Sequence, residues 1–135
     1  MDSRIELEIP FPPSINHCFS YAHGRPVLTK QARTFRSHVR RIARATRLKP
    51  LLGPIAIRIE IHPPDDRRRD VDNAQKTILD ALQHAGAFWD DSQVVWLLTV
   101  KGKPRAESKA IVQLCEHSAD RDPFPTSSST GDIHE

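Results

Sequence analysis

The sequence predicts a small α/β domain in which four strands and two helices follow the order β-α-β-α-β-β, building a mixed four-stranded sheet flanked by the helices. Three observations carry this. Ile55, Ile57, Ile59 and Ile61 alternate with Ala56, Arg58 and Glu60, the period-two signature of a strand. Two longer segments, 29–48 and 70–85, carry apolar residues at helical spacing, and Pro or Gly follows each. Val94 to Val100 is apolar on both faces and reads as a central strand covered on both sides.

The elements follow in order. Ile5, Leu7 and Ile9 alternate with Arg4, Glu6 and Glu8, giving a half-buried first strand that Pro10, Pro12 and Pro13 terminate. A loop is expected to about Leu28. Thr29 can accept an early helical N–H as N-cap, and Phe35, Val39, Ile42 and Thr46 then form one semi-apolar stripe. The Ile55–Ile61 strand ends at Pro63-Pro64. The second helix opens near Asp70, shows Ala74, Ile78, Ala81, Leu82 and Ala85 on its apolar side, and stops at Gly86, a good C′ residue. Lys109 to Cys115 is the fourth strand. The folded domain is expected over 1–117. From Ser118 the composition turns to Ser, Thr, Pro, Asp and Gly, so 118–135 is expected to be a disordered tail.

A chain of 135 residues fits one domain with a core large enough to stand without disulfides or a structural metal. Cys18 and Cys115 lie far apart and outside any C-x-x-C arrangement, which suits a reducing cytoplasm. The first residues lack the apolar core of a signal peptide, and no stretch approaches the roughly 20 apolar residues of a membrane span. A cytoplasmic protein is expected. The net charge of +3 matters less than its distribution. From Ile9 to Ile59 there is no Asp or Glu, while ten Lys and Arg residues occur there. From Asp65 to Asp91 the acids return, and all seven are Asp. One zone suits a polyanion and the other a hard cation, the division that a nuclease requires. No Gly-rich phosphate loop is present, which argues against a nucleotide cofactor.

The stretch Asp65-Asp-Arg-Arg-Arg-Asp-Val-Asp-Asn-Ala-Gln-Lys is the most informative. Asp70 and Asp72 are two residues apart where an extended segment feeds a helix, so their carboxylates can face one cation. Magnesium takes one or two carboxylates and keeps water and phosphate oxygens in its other positions. Lys76 lies one turn beyond Asp72, where it can orient the attacking water or neutralise a phosphorane oxygen. A purely structural account stands beside this one. Asp70 can be an N-cap, Asp72 a helix-dipole partner and Lys76 half of a surface pair, with Asp80 a further partner for the lysine. Asp90-Asp91 tips the balance towards a metal. If the following strand neighbours Ile55–Ile61, Asp91 reaches Asp70 and Asp72 only when the two strands run antiparallel. Antiparallel pairing is therefore expected. Phe88 and Trp89 read as core residues.

The run Pro64-Asp-Asp-Arg-Arg-Arg-Asp-Val-Asp-Asn-Ala-Gln-Lys-Thr-Ile-Leu-Asp-Ala-Leu, followed by Gly86-Ala-Phe-Trp-Asp-Asp-Ser-Gln-Val-Val, resembles the signature of the RusA Holliday junction resolvases. Pro10-Phe-Pro-Pro-Ser-Ile-Asn resembles that family's opening loop, and the similarity spans roughly residues 4 to 116. The resemblance implies a RusA-like fold and a homodimeric, magnesium-dependent endonuclease that resolves four-way DNA junctions by paired nicks. It assigns catalysis to Asp70, Asp72, Asp91 and Lys76, with one or two Mg²⁺ held by the three aspartates. The Lys101–Ser108 turn and the tail depart from the family pattern. Arg67, Arg68 and Arg69 are expected to contact DNA phosphates. Asn73 either binds phosphate or holds Asp70 in place, and Asp90 is a candidate outer support of the metal. His17, Cys18 and His23 fit no standard zinc spacing. Two alternatives remain: a less selective nuclease of branched DNA or flaps, and a DNA-binding protein whose aspartates are structural.

Overall fold

The computed structural model describes residues 4–117 together with Pro123 and Phe124, with Ile15 described by its backbone alone. Residues 118–122 and 125–135, most of the expected disordered tail, lie outside the described residues. The elements are β1 (Ile5–Pro10), a hairpin of β2 (Phe19–Ala22) and β3 (Arg25–Leu28), α1 (Lys30–Ala45), β4 (Ile55–His62), α2 (Val71–His84), β5 (Val94–Lys101) and β6 (Lys109–Glu116). Single 3₁₀ turns occur at Ile15–His17 and Asp91–Gln93.

The fold is mixed α/β, as the sequence predicts. The main sheet runs β1-β6-β4-β5. β6 pairs antiparallel with both β1 and β4, whereas β5 pairs parallel with β4. Two expectations are corrected here. β5 is an edge strand, not a central one, and its pairing with β4 is parallel, not antiparallel. The connection explains the direction. A strand that leaves through a helix and returns to the neighbouring position forms a βαβ unit, which makes its two strands parallel. The loop expected between Pro10 and Leu28 also contains a hairpin, which closes through His23 and Gly24 at φ 54° and 75°. Both central residues are left-handed, the backbone of a type I′ turn whose twist matches paired strands.

Both helices cover one face of the sheet. Leu7, Ile9, Ile55, Ile57, Ile59, Ile61, Val112 and Leu114 meet Phe35 and Val39 of α1 and Ile78 and Leu82 of α2 in a single core. Each fully buried isoleucine contributes roughly 1.5–3 kcal/mol by removal from water. Thr29 caps α1, accepting from the Ala32 N–H at 3.3 Å. Both helices end in the same way. Leu48 N–H donates to Ala43 O and Ala87 N–H to Leu82 O, the six-to-one bonds of Schellman motifs whose left-handed residues are Arg47 and Gly86. Gly86 thus fills the predicted C′ role. On the sheet's other face Phe124 packs on Trp96, with ring centroids 5.4 Å apart. Cys18 and Cys115 are both free and buried. No helix among the described residues is long and apolar enough to cross a membrane.

Candidate active site

The segment between β4 and α2 folds around one carboxylate. Asp65 accepts from the Arg67 backbone N–H at 2.9 Å and from Arg69 Nη1 at 2.8 Å. The Arg69 guanidinium, helped by that backbone N–H, holds the Asp65 carboxyl well below the usual carboxylate range. Arg69 also lies 5.5 Å over the Phe11 ring, which ties the proline-rich opening loop to this segment. Arg67 and Arg69 pair with Asp65, whereas Arg68 has no hydrogen bond or ion pair among the described residues, and all three line the cleft that borders Asp70.

Asp70 follows as the N-cap of α2, its Oδ1 accepting the Asp72 N–H at 3.1 Å. The capping role read from the sequence is real, yet it occupies one oxygen and leaves the other open. Asp72 sits in the first turn, exposed, with no side-chain partner among the described residues. The positive end of the helix favours both charges. Lys76 reaches Asp80 Oδ1 at 3.6 Å, a loose surface pair that leaves the ammonium exposed. An open cleft of about 870 Å³ runs alongside, lined by Phe11, Asn16, His17, Arg68, Asp70 and Asn73 among others. Asn73 is half-buried there, and no hydrogen bond joins its side chain to Asp70 among the described residues.

Asp91 does not join Asp70 and Asp72. The β4/β5 register pairs Ile55 with Val94 and Ile61 with Lys101, so Asp91, just before Val94, lies at the Ile55 end. The Asp70 segment lies at the other end, where Lys101 Nζ comes within 3.5 Å of Arg69 O. Eight residues of strand separate the two ends, roughly 20 Å or more at about 3.3 Å per residue. Magnesium binds its ligands at about 2.0–2.1 Å, so one chain does not assemble the three aspartates. Consistently, no group of three His, Cys, Asp or Glu side chains able to hold a metal occurs among the described residues. Cys18 is buried against Thr77, its Sγ 3.8 Å from the hydroxyl.

A model of the family "Endodeoxyribonuclease RusA" matches residues 10–114. The chain belongs to the RusA family of crossover junction endodeoxyribonucleases. Among RusA relatives, the crossover junction endodeoxyribonucleases of Enterobacteria phage 82, of Shigella sonnei (strain Ss046) and of Escherichia coli (strain K12) are each 43% identical over 96 residues. The similarity covers 70% of this chain and 80% of each relative. The matched RusA region contains the whole Asp65–Lys76 segment, the Asp90-Asp91 turn and the hairpin.

Sequence reasoning missed three organising residues. Gln93 is the most connected. Its Oε1 accepts from the Trp89 and Asp90 N–H groups at 2.7 and 3.0 Å, and its Nε2 donates to Leu51 O and Gly53 O at 3.0 and 2.9 Å. Asp90 caps the same turn, accepting from the Ser92 N–H at 3.0 Å. Asp-x-x-Gln is a capping-box pattern, so this signal was readable. Asp65 and Phe11 left no local signature, because they act through contacts with Arg69. Trp89, expected in the core, is 67% exposed, while Phe88 is buried as expected.

Proposed function

We propose that the protein resolves four-way DNA junctions by hydrolysing phosphodiester bonds at Asp70 and Asp72, with magnesium as cofactor and a homodimer as the working unit. The observation that carries this reading is Asp70 lining a cleft with Arg67, Arg68 and Arg69, and exposed Asp72 two residues on in the first turn of the same helix, in a chain of the RusA family. The donor set is all oxygen, on short side chains, and suits a hard cation. Bound there, magnesium supplies the acidity that activates water and stabilises the departing oxygen. Asp70 and Asp72 hold the reacting phosphate's surroundings fixed from a helix terminus. Lys76, on the face of Asp72, donates to a non-bridging phosphate oxygen as charge builds. Water forms the new P–O bond as the P–O3′ bond breaks. Asn73 and Arg68 orient the strand by contacts to flanking phosphates. The two free cysteines fit a cytoplasmic setting.

The parallel β4/β5 pairing supports the dimer. Among the described residues β5 presents an unpaired edge together with exposed Val95, Leu97 and Leu98, a combination that single chains avoid unless something covers it. Antiparallel pairing of two β5 strands about a two-fold axis sets each Val94 end beside the other copy's Lys101 end. Asp91 of the second copy then approaches Asp70 and Asp72, which completes the ligand set.

Junction cleavage with and without Mg²⁺, compared with linear duplex, tests the activity, and a protein that nicks neither substrate overturns it. Asp72→Asn should abolish cleavage while leaving metal-free junction binding unchanged or tighter, since a charge that repels phosphate is gone. Mixing the inactive variants Asp72→Asn and Asp91→Asn tests the shared site. A composite site leaves one intact set per mixed dimer and restores nicking of one strand. No restoration in mixtures shown to exchange subunits refutes the shared site.

A further inference from the structure

We propose that the β2–β3 hairpin reads the branch, with Tyr21 stacking on a nucleobase left uncovered where the DNA strands diverge. The inference rests on the junction-cleaving function proposed above. In the hairpin register Phe19 faces Leu28 and Tyr21 faces Pro26, so the period of two places Phe19 and Tyr21 on one face. At the root that face is anchored. Phe19 and Leu28 border a small hollow with Cys18, Ala32, Phe35 and Thr77, between α1 and α2. Thr29 ties the two ends of the root together, its N–H donating to Cys18 O at 2.9 Å and its hydroxyl to His17 O at 2.6 Å.

Two residues further out, Tyr21 is 78% exposed and has neither a hydrogen bond nor a ring contact among the described residues. The type I′ turn at His23-Gly24 and the Thr29 bonds at the root fix the register of the ribbon that carries it. An aromatic ring held out on a pre-organised ribbon loses little entropy on stacking. The position is also right. Asn16 and His17, which line the cleft beside Asp70, lead directly into Cys18 and Phe19, and Cys18 touches Thr77, the residue after Lys76.

Charge selects a nucleic acid as the occupant. The hairpin and α1 lie inside the acid-free stretch from Ile9 to Ile59, and Arg25 stands beside Ala22 at the hairpin tip. The carboxylate that borders the root, Asp80 of α2, is paired with Lys76, and neither the hairpin nor α1 carries one. Geometry then selects the branch. In continuous duplex both faces of every base are covered by its neighbours, so a protruding tyrosine finds nothing to stack on. At a branch point the stack is interrupted and a base face becomes available. A stack of this kind changes affinity roughly 5- to 100-fold on alanine substitution.

Binding to a four-way junction and to a linear duplex of equal length, both in EDTA, tests the proposal. Tyr21→Ala should weaken junction binding roughly 5- to 100-fold and leave duplex binding within about twofold. Tyr21→Trp should retain junction binding, and the salt slope of Tyr21→Ala should match wild type, because stacking releases no counterions. A 2-aminopurine at the branch should be quenched by wild type and not by Tyr21→Ala. An equal loss on junction and duplex, or no loss on either, overturns the proposal. So does a change in sedimentation mass, which would assign the hairpin to contact between copies. If wild-type protein cuts junctions while Tyr21→Ala binds them normally, this inference alone fails. If wild type shows no preference for junctions, the functional reading fails first.

Discussion

Replacing Gln93 by Ala removes four hydrogen bonds from one half-buried side chain, two accepted and two donated. Each is worth about 0.5–1.5 kcal/mol net, but the freed groups near the surface can recruit water and the four losses are not independent. We therefore expect Gln93→Ala to cost about 2–3 kcal/mol, which for a domain of this length lowers Tm by roughly 6–15 °C. Urea unfolding followed by circular dichroism, with an unchanged m-value, isolates the stability change. Gln93→Glu sharpens the reasoning. Its carboxylate still accepts from the Trp89 and Asp90 N–H groups but faces the Leu51 and Gly53 carbonyl oxygens without a donor, so it too should destabilise at neutral pH. Because Gln93 also shapes the turn that presents Asp91, cleavage should fall by more than the unfolded fraction explains. A Tm within about 2 °C of wild type for both variants would refute the account, since it would mean that water satisfies all four groups.

The other predictions are briefer. Asp65 has a folded pKa depressed below its unfolded value, so the stability it contributes is fully present above about pH 4 and is lost as pH falls towards the folded value. Asp65→Asn should therefore flatten the acid limb of a stability–pH profile between about pH 4 and 2, and an unchanged limb removes Asp65 from the loop's support. A Cβ at Gly102 would collide with the His62 ring, which is itself buried and held by its contacts with the Lys103 carbonyl and Glu60. Gly102→Ala should cost about 1–3 kcal/mol in a thermal melt, the usual range for overpacking. Lys76→Ala should slow junction cleavage roughly ten- to a thousandfold with little change in affinity, and equal losses in both would make Lys76 an ordinary phosphate contact.

Most elements of the main sheet were legible because their signals are local. The isoleucine alternation of β4, the Thr29 cap and the Gly86 stop each depend on a few neighbouring residues, and the structure keeps all three. The Asp70–Asp72 spacing was legible for the same reason, as was the pairing of Lys76 with Asp80. The β2–β3 hairpin was missed because its strands are four residues each and exposed on both faces, so the Phe19–Tyr21 alternation is too short to mark a strand.

Tertiary structure decided the direction of β5, its place at the edge, and hence the separation of Asp91 from Asp70 and Asp72. A side-chain period of two is identical in parallel and antiparallel strands, so alternation carries no information about direction; only the crossover through α2 does. The apolar run of β5 has a related ambiguity. Apolar residues on both faces demand cover, but they do not say whether it comes from the same chain or from a second copy. Among the described residues, Val95, Leu97 and Leu98 of that strand stay exposed.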